Sequence, residues 1–196
     1  GVRDFCGNKL PEGMKKNQRL PYPIITPTTK AAHGEHDRNI TPDEIVSSGL
    51  LSKADWEKLS NYALGLYARG VEIAAANGVI LVDTKYEFGK TPDGEILVID
   101  EIHTPDSSRY WIAESYEQRM NEGKEPDNIN KEFLRLWLAN QGYIGEGVMP
   151  EIPLEIIVET AQKYIQAYEL ISGQKFIPET GDVLGRIEKN LTPYFS

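Results

Sequence analysis

The chain is poor in cysteine, in long apolar runs and in basic residues, and each of these shortages excludes a class of protein. It has one cysteine, Cys6, so no internal disulfide can form, and a reducing cytoplasm is the expected compartment. No stretch approaches the roughly 20 apolar residues that a membrane span needs. Basic residues number 21 against 30 acidic ones, which argues against a nucleic-acid surface. Internal repeats and low-complexity segments are also missing from the sequence. We therefore expect neither a membrane nor a nucleic acid as a partner.

What remains has the composition of one globular domain. Of the 196 residues, 40% are hydrophobic and 26% are charged, and the chain is long enough to bury a core. The net charge of −9 does not exclude small anionic ligands, because local lysine and arginine placement decides their binding. We predict a single domain over 1–196, with 1–30 as a proline-broken, extended entry segment and 174–196 as a mixed tail.

The most informative stretch runs from Ile80 to Trp111 and predicts strands joined by a turn. Val79–Val82 and Ile96–Ile99 are short, β-branched apolar runs. Between them, Thr91–Gly94 reads Thr-Pro-Asp-Gly, a strong turn signal. We expect the two runs to pair as a central hairpin over about 79–100. The predicted fold class is α+β, with an antiparallel sheet built on that hairpin and helices packed against it.

Capping residues and apolar spacing predict the helices. Thr41-Pro42 should begin a short helix that ends near Gly49, and Ser52 should cap a long one that ends at Asn77-Gly78. Leu154–Ser172 has the spacing of an amphipathic helix and is followed by Gly173. Shorter helical segments are predicted at Ser115–Asn121, Asn130–Asn140 and around Val183–Asn190.

Charged side chains follow both predicted strands. Asp83, Lys85 and Glu87 alternate, so they share one face of an extended chain, and Asp100 and Glu101 follow the second run. Mg²⁺ binds a few carboxylate oxygens and keeps other positions for water and phosphate. We therefore predict Glu87 and Asp100 as magnesium ligands and Lys85 as a phosphate contact. Solvated hairpin charges are the alternative for any one of them, although their density beside two apolar strands weakens it.

The next loop adds groups that bind anions. Thr104–Arg109 carries two serine hydroxyls, the carboxylate of Asp106 and the guanidinium of Arg109. A guanidinium can make a two-pronged contact with a phosphate or a carboxylate. The hairpin and this loop together therefore predict a metal–nucleotide site.

An earlier loop, Thr26–Asp37, contains His33 and His36 together with Lys30 and two carboxylates. This H-x-x-H spacing within a loop fits no common zinc pattern, and no cysteine is nearby. A structural loop is thus favoured over a transition-metal site.

Two of these segments also resemble a known family. Residues 83–89, DTKYEFG, and residues 100–109, DEIHTPDSSR, are similar to the paired signatures of the SAICAR synthetases (phosphoribosylaminoimidazole-succinocarboxamide synthases). The similarity runs from about Cys6 to Phe176. The resemblance implies ATP-dependent ligation of L-aspartate to carboxyaminoimidazole ribonucleotide, which yields SAICAR, ADP and phosphate in purine biosynthesis. It also implies ATP and Mg²⁺ as cofactors.

The resemblance implies a role for each matching residue. Lys85 and Asp106 match catalytic positions, and Glu87 and Asp100 match the magnesium-handling carboxylates. Glu101 joins those two carboxylates as a nucleotide contact. The positions that match substrate-binding residues are Lys30, His36, Asp37, Asp83, Ser107, Ser108 and Arg109.

One part of the family pattern has no match here. The family's N-terminal segment has a glycine-containing nucleotide-binding hairpin and a lysine-bearing strand, whereas this chain opens with Gly1-Val2-Arg3-Asp4. The resemblance therefore predicts the C-terminal portion of a synthetase, with the N-terminal segment or a second copy of the chain as a partner. Two alternatives stay open: a kinase-like phosphotransferase, and a non-catalytic fragment that binds ribonucleotide.

Overall fold

Along the described residues, two short strands are followed by two helices, four strands and four further helices. The computed structural model describes residues 3–30, 37–129, 132–145 and 147–195. The strands are β1 Asp4–Phe5, β2 Asn8–Lys9, β3 Val79–Thr84, β4 Phe88–Lys90, β5 Ile96–Val98 and β6 Ser108–Ile112. The helices are α1 Pro42–Ser47, α2 Lys53–Ala76, α3 Ala113–Asn121, α4 Glu132–Asn140, α5 Leu154–Ser172 and α6 Val183–Leu191, followed by a 3₁₀ turn at Thr192–Tyr194. The α+β class is confirmed.

Local side-chain hydrogen bonds explain where the helices begin. Thr41 and Glu44 form a reciprocal capping box at the start of α1, which satisfies two backbone N–H groups at the helix end. The Ser52 hydroxyl accepts from the backbone N–H of Asp55 at the start of α2. Glycine explains where α5 ends. Gly173, at its C-terminal end, has a φ of 67°, a left-handed conformation that glycine adopts without strain. The predicted helices are confirmed, with bounds that shift by a few residues at most.

The strand partners differ from the prediction. β3 pairs antiparallel with β6, and β5 pairs antiparallel with β4. The predicted pairing of the Val79–Val82 run with the Ile96–Ile99 run is therefore wrong. The turn at Thr91–Gly94 is tight, with the Gly94 N–H donating to the Thr91 carbonyl at 2.9 Å. Such a turn places its immediate neighbours opposite each other, so β4 takes β5 as its partner and leaves β3 for β6.

The β3–β6 ladder lies at the centre of the apolar core. The main cluster of buried residues comprises Ala74, Val79, Leu81, Tyr110, Ile129 and Ala167. Ala74 lies on α2 and Ala167 lies on α5, so both long helices contribute to the core beside the ladder. The prediction that the two long helices pack against the strands is confirmed.

A register shift interrupts the ladder between Leu81 and Asp83. The hydroxyl of Tyr67, on α2, donates to the carbonyls of both Leu81 and Val82 at 3.1 Å. This contact supplies a hydrogen-bond partner for backbone groups that a bulge removes from regular pairing.

The two ends of the chain are less buried. Within residues 3–30, β1 and β2 form a two-residue ladder, and the Asn8 amide donates to the Ile25 carbonyl at 2.8 Å. In the tail, α6 and the 3₁₀ turn leave Leu184 and Phe195 exposed. None of the helices in the described ranges is long and apolar enough to cross a membrane.

Candidate active site

The end of the β3–β6 ladder carries the first part of the site. Asp83 lies opposite Arg109 in the register, and Thr84 lies opposite Ser108. Arg109 Nε donates to both carboxylate oxygens of Asp83, at 2.8 and 3.0 Å, and Arg109 Nη2 also donates to that carboxylate. The Ser108 hydroxyl donates to the Thr84 hydroxyl oxygen at 2.9 Å. Backbone pairing therefore places an arginine–carboxylate fork and a pair of hydroxyls side by side.

The chain that follows β3 brings two lysines to one carboxylate. Glu87 accepts from Lys30 Nζ at 2.6 Å and from Lys85 Nζ at 2.9 Å. Asp37 lies 3.6 Å from the same Lys85 ammonium. The Lys85 backbone N–H donates to the Ser107 carbonyl at 2.8 Å, which joins this segment to the loop before β6. We call Lys30, Lys85, Glu87 and Asp37 the lysine cluster.

Electrostatics within the lysine cluster favour the charged forms. The hydrogen bond from Lys30, then that from Lys85, lowers the pKa of the Glu87 carboxyl from 4.5. The hydrogen bond to Glu87 is the largest influence on Lys85 and raises the pKa of its ammonium above 10.5. Two cations thus meet at a carboxylate that is only 18% exposed.

The predicted loop Thr104–Arg109 includes the first two residues of β6 and is held by its own hydroxyls and by α5. The Thr104 hydroxyl donates to the Glu101 carboxylate and accepts from the Ser107 backbone N–H at 3.3 Å. The Tyr164 hydroxyl, on α5, donates to Asp106 Oδ1 at 2.8 Å. Burial, followed by the neighbouring Asp106, raises the pKa of Tyr164 to about 12, so this tyrosine stays protonated at neutral pH.

Tyr164 lies within the predicted amphipathic helix Leu154–Ser172, where sequence reasoning named no site residue. Its spacing along α5 fits a packing residue, and no local signal distinguishes a tyrosine that reaches a distant aspartate. The contact depends on how α5 crosses the loop, which is a tertiary property.

The predicted magnesium ligands lie at the same end of the β4–β5 ladder. The Ile99 backbone N–H donates to the Glu87 carbonyl at 3.1 Å, and Asp100 follows directly. An oxygen of the Asp100 carboxylate accepts from the Glu101 backbone N–H at 2.8 Å. Among the described residues, no group of three or more histidine, cysteine, aspartate or glutamate side chains could hold a metal ion.

The structure brings most of the predicted site residues into one region. Asp83, Lys85 and Glu87 lie near the Ser107–Arg109 segment, and Lys30 and Asp37 reach them from the earlier loop. His36, with the neighbouring His33 and Glu35, lies outside the described residues. Its predicted role therefore stays a prediction.

The described residues form an α+β domain that gathers two lysines, an arginine and several carboxylates beside a hydroxyl-bearing segment, and such cationic side chains suit small anionic molecules. The comparisons with known proteins identify the family. Residues 2–151 match the family model described as SAICAR synthetase. The chain belongs to the SAICAR synthetase family.

Relatives and solved structures agree on this family. The chain is 50% identical over 197 residues to the putative phosphoribosylaminoimidazole-succinocarboxamide synthase 2 of Agrobacterium fabrum, covering 100% of this chain and 62% of the relative. The SAICAR synthase of Saccharomyces cerevisiae, solved in complex with SAICAR, superposes with a TM-score of 0.73 at 36% identity, over 88% of this chain and 54% of that one. A type-2 SAICAR synthetase in complex with ADP gives a TM-score of 0.58 at 29% identity, over 87% and 57%. The chain thus spans less than two thirds of the relatives it matches.

Proposed function

We propose that this chain carries the substrate-handling part of an ATP-dependent amide-forming ligase. The reaction joins L-aspartate to carboxyaminoimidazole ribonucleotide and releases SAICAR, ADP and phosphate, as a step of purine biosynthesis. Family membership supports the reaction, and the observation in this structure that carries the proposal is the lysine cluster beside the Asp83–Arg109 fork. The relatives solved with SAICAR and with ADP are consistent with these small-molecule ligands.

The chemistry has two steps whose charges match the site. A carboxylate oxygen of the ribonucleotide attacks the terminal phosphorus of ATP, forming an acyl phosphate and releasing ADP. The aspartate amine then attacks the acyl carbon and loses a proton to form the amide, while the bond from the acyl carbon to the phosphate oxygen breaks and releases phosphate. Both steps bring negative charges together, so positioned cations are the main requirement. The ammonium groups of Lys30 and Lys85 meet that requirement.

Lys85 is proposed as the catalytic cation that faces the reacting carboxylate and the transferred phosphoryl group. Its ammonium is shared between Glu87 and Asp37, and 57% of the side chain is exposed. Exposed ion pairs are weak, typically about 0–1 kcal/mol, so a multiply charged ligand can replace these partners.

The loop Thr104–Arg109 is proposed as the ribonucleotide-binding segment. The hydroxyls of Ser107 and Ser108 and the guanidinium of Arg109 suit a phosphate, and Asp106 suits a sugar hydroxyl or a proton transfer in the reaction. A phosphate must compete with Asp83 for Arg109, because Asp83 already accepts from Nε and Nη2. Lys30, His36 and Asp37 are proposed to contact the ribonucleotide or the aspartate.

Glu87 and Asp100 fit a magnesium site, with Glu101 as a further nucleotide contact. Mg²⁺ is commonly bound by one or two carboxylates, with water and substrate phosphate in its other positions. The two residues share one end of the β4–β5 ladder, which is consistent with such a pair. When bound, Mg²⁺ would neutralise phosphate charge, and Glu87 would have to exchange its lysine partners for the ion.

We also propose that the chain acts as one domain in a reducing compartment such as the cytoplasm. The partially buried Cys6 has no cysteine partner, and burial is the largest influence that raises the pKa of its thiol, so it is a poor nucleophile. Residues of the longer relatives that have no counterpart in this chain, or a second copy of the chain, are proposed to complete the ATP site.

The test is ADP release with ATP, Mg²⁺ and carboxyaminoimidazole ribonucleotide, with and without L-aspartate. We expect release that depends on aspartate, with SAICAR formed in equal amount. Release without aspartate would instead support a phosphotransferase. Absence of release, with tight ribonucleotide binding in calorimetry, would support a non-catalytic fragment.

A further inference from the structure

A hydrogen bond away from the charged groups joins the two halves of the site. Tyr86 lies between Lys85 and Glu87, and its hydroxyl oxygen lies 2.5 Å from Nε2 of His103. The two rings meet edge to face, with 5.6 Å between their centroids. His103 directly precedes the Thr104–Arg109 loop. The contact therefore ties the segment that bears the lysine cluster to the segment that bears the arginine.

Helix α2 supports the His103 ring from a second direction. Gly70 is buried on α2, and a Cβ atom there would lie 2.4 Å from Cε1 and 2.7 Å from Nε2 of His103. Real side chains do not tolerate such distances, so this close approach of ring and helix requires a glycine. The imidazole is thus enclosed between the backbone of α2 and the hydroxyl of Tyr86.

The backbone of His103 is also held in place. Its φ is 58°, in the left-handed region that few residues other than glycine adopt. The Tyr110 hydroxyl donates to the His103 carbonyl at 2.8 Å, and Tyr110 is itself fully buried. A strained conformation persists only where surrounding contacts determine it, and here two tyrosine hydroxyls do so.

The protonation states suit this hydrogen bond. Burial lowers the pKa of His103 below its usual 6.5 and raises the pKa of Tyr86 to about 12. The phenol hydroxyl can donate or accept, so the tautomer of the imidazole decides which of the two groups donates in this contact.

We propose that Tyr86 and His103 are a positioning pair that sets the spacing between the lysine cluster and the Thr104–Arg109 loop. The proposal rests on the proposed function of this site, but neither residue needs to touch the reacting atoms. Misplacement of the reacting groups by about 1 Å can lower the reaction rate about a hundredfold. A buried contact that fixes their spacing can therefore affect turnover.

The first test compares Tyr86→Phe with Tyr116→Phe by amide hydrogen exchange in the absence of ligands. Tyr116 is a matched control, because its hydroxyl also makes one hydrogen bond, to the Asn17 carbonyl at 2.8 Å. We expect the amides of the Thr104–Arg109 loop to exchange about fivefold faster in Tyr86→Phe, the effect of one lost hydrogen bond, and to keep their rates in Tyr116→Phe. Unchanged exchange in Tyr86→Phe would overturn the proposal.

A second pair of variants separates positioning from packing. His103→Gln retains a hydrogen-bond acceptor for Tyr86, whereas His103→Leu retains only bulk. We expect the amides of the Thr104–Arg109 loop to exchange more slowly in His103→Gln than in His103→Leu. Equal exchange rates in the two variants would contradict a hydrogen-bonded pair. Hydrogen exchange can be measured without turnover. A wild-type chain that shows no aspartate-dependent ADP release would therefore contradict the proposed function, and the exchange rates would still decide the positioning proposal.

Where turnover is present, the kinetic signature follows from the same reasoning. Tyr86→Phe should lower kcat about tenfold while the KM for ATP stays within about twofold, because spacing affects the reacting geometry more than nucleotide binding. A kcat equal to that of wild type would overturn the positioning role.

Discussion

Asp83–Arg109 and the lysine cluster lie within a few residues of each other, yet the chain builds them in different ways. Asp83 and Arg109 are opposite partners in the β3–β6 ladder, so backbone register places both. In the lysine cluster, Lys30 reaches Glu87 across 57 positions of sequence, without a shared ladder. Both arrangements involve partly exposed side chains, but backbone register over the core fixes the first, whereas the second depends on ion pairs between side chains.

The difference indicates what each part can do. The fork is preorganised, since the ladder that carries it includes the buried side chains of Val79 and Tyr110. The lysine cluster can exchange its partners for a ligand, because exposed ion pairs contribute little to stability. We therefore expect substitutions in the lysine cluster to affect turnover with little effect on folding, and substitutions beneath the ladder to do the reverse.

The largest effect should come from Lys85→Met. Lys85 is proposed to face the charge that develops in the reaction, and removing such a cation costs about 10²–10³ in kcat, or about 3–4 kcal/mol of transition-state stabilisation. Aspartate-dependent ADP release and thermal unfolding are the measurements, and the melting temperature should barely change. Lys90→Met is the matched control, because Lys90 also has an ion pair, but its partner at 2.7 Å is Asp55, which is not one of the predicted site residues. Equal turnover in both variants would remove Lys85 from the catalytic role.

The next effect is on stability and comes from Gly70→Ala. The added methyl group would overlap the His103 ring and Leu81, so we expect a loss of about 1–3 kcal/mol in the free energy of unfolding, measured in urea. Gly65→Ala is the control, because Gly65 lies in the same helix with nothing within 4 Å of an added Cβ. That variant should gain about 0.5–1 kcal/mol. A similar gain in both would mean that the ring does not pack against α2.

A smaller effect is expected for Arg109→Lys, which keeps the charge but loses the fork. The ammonium cannot reproduce the paired contacts with Asp83, and we expect ribonucleotide affinity to fall about tenfold, or about 1.4 kcal/mol, in calorimetry. Arg69→Lys, at an exposed pair with Glu72 on α2, serves as the control and should bind normally. Unchanged affinity in Arg109→Lys would show that the guanidinium geometry is not used.

Sequence reasoning was successful where the signals are local. The caps at Thr41 and Ser52 and the spacing of Leu154–Ser172 predicted helices that the structure contains. The turn at Thr91–Gly94 was also identified correctly. These features depend on neighbouring residues in the chain, so the sequence pattern carries them.

Strand partners and long-range contacts were beyond the same reasoning. Nothing local indicated β6 as the partner of β3, because β6 begins with the polar residues Ser108 and Arg109, which sequence reasoning had assigned to a loop. The alternation of Asp83, Lys85 and Glu87 indicated one polar face, but their neighbours Arg109 and Lys30 follow from pairing and tertiary packing. The site was therefore predicted as a set of residue types, and its geometry required the fold.

The smallest effect is a dependence of stability on pH that belongs to the lysine cluster. The two lysines lower the pKa of Glu87 from 4.5, so the folded state binds a proton there less readily than the unfolded state does. The stability from this group is therefore present above about pH 4.5 and is lost as the pH falls through the lower, folded value. Because 74% of the Lys30 side chain is exposed, we expect less than about 1 kcal/mol.

Urea unfolding of wild type and Glu87→Gln at pH 6 and pH 3 measures this contribution. The difference in unfolding free energy between the two proteins should shrink from pH 6 to pH 3, because protonated Glu87 resembles glutamine in charge. At pH 6 it should also shrink as salt is added, since ions screen exposed pairs. A difference that stays constant with pH would mean that the two lysines do not stabilise the folded state through Glu87. Ion pairs would then no longer explain how the lysine cluster differs from the Asp83–Arg109 pair, which backbone register places.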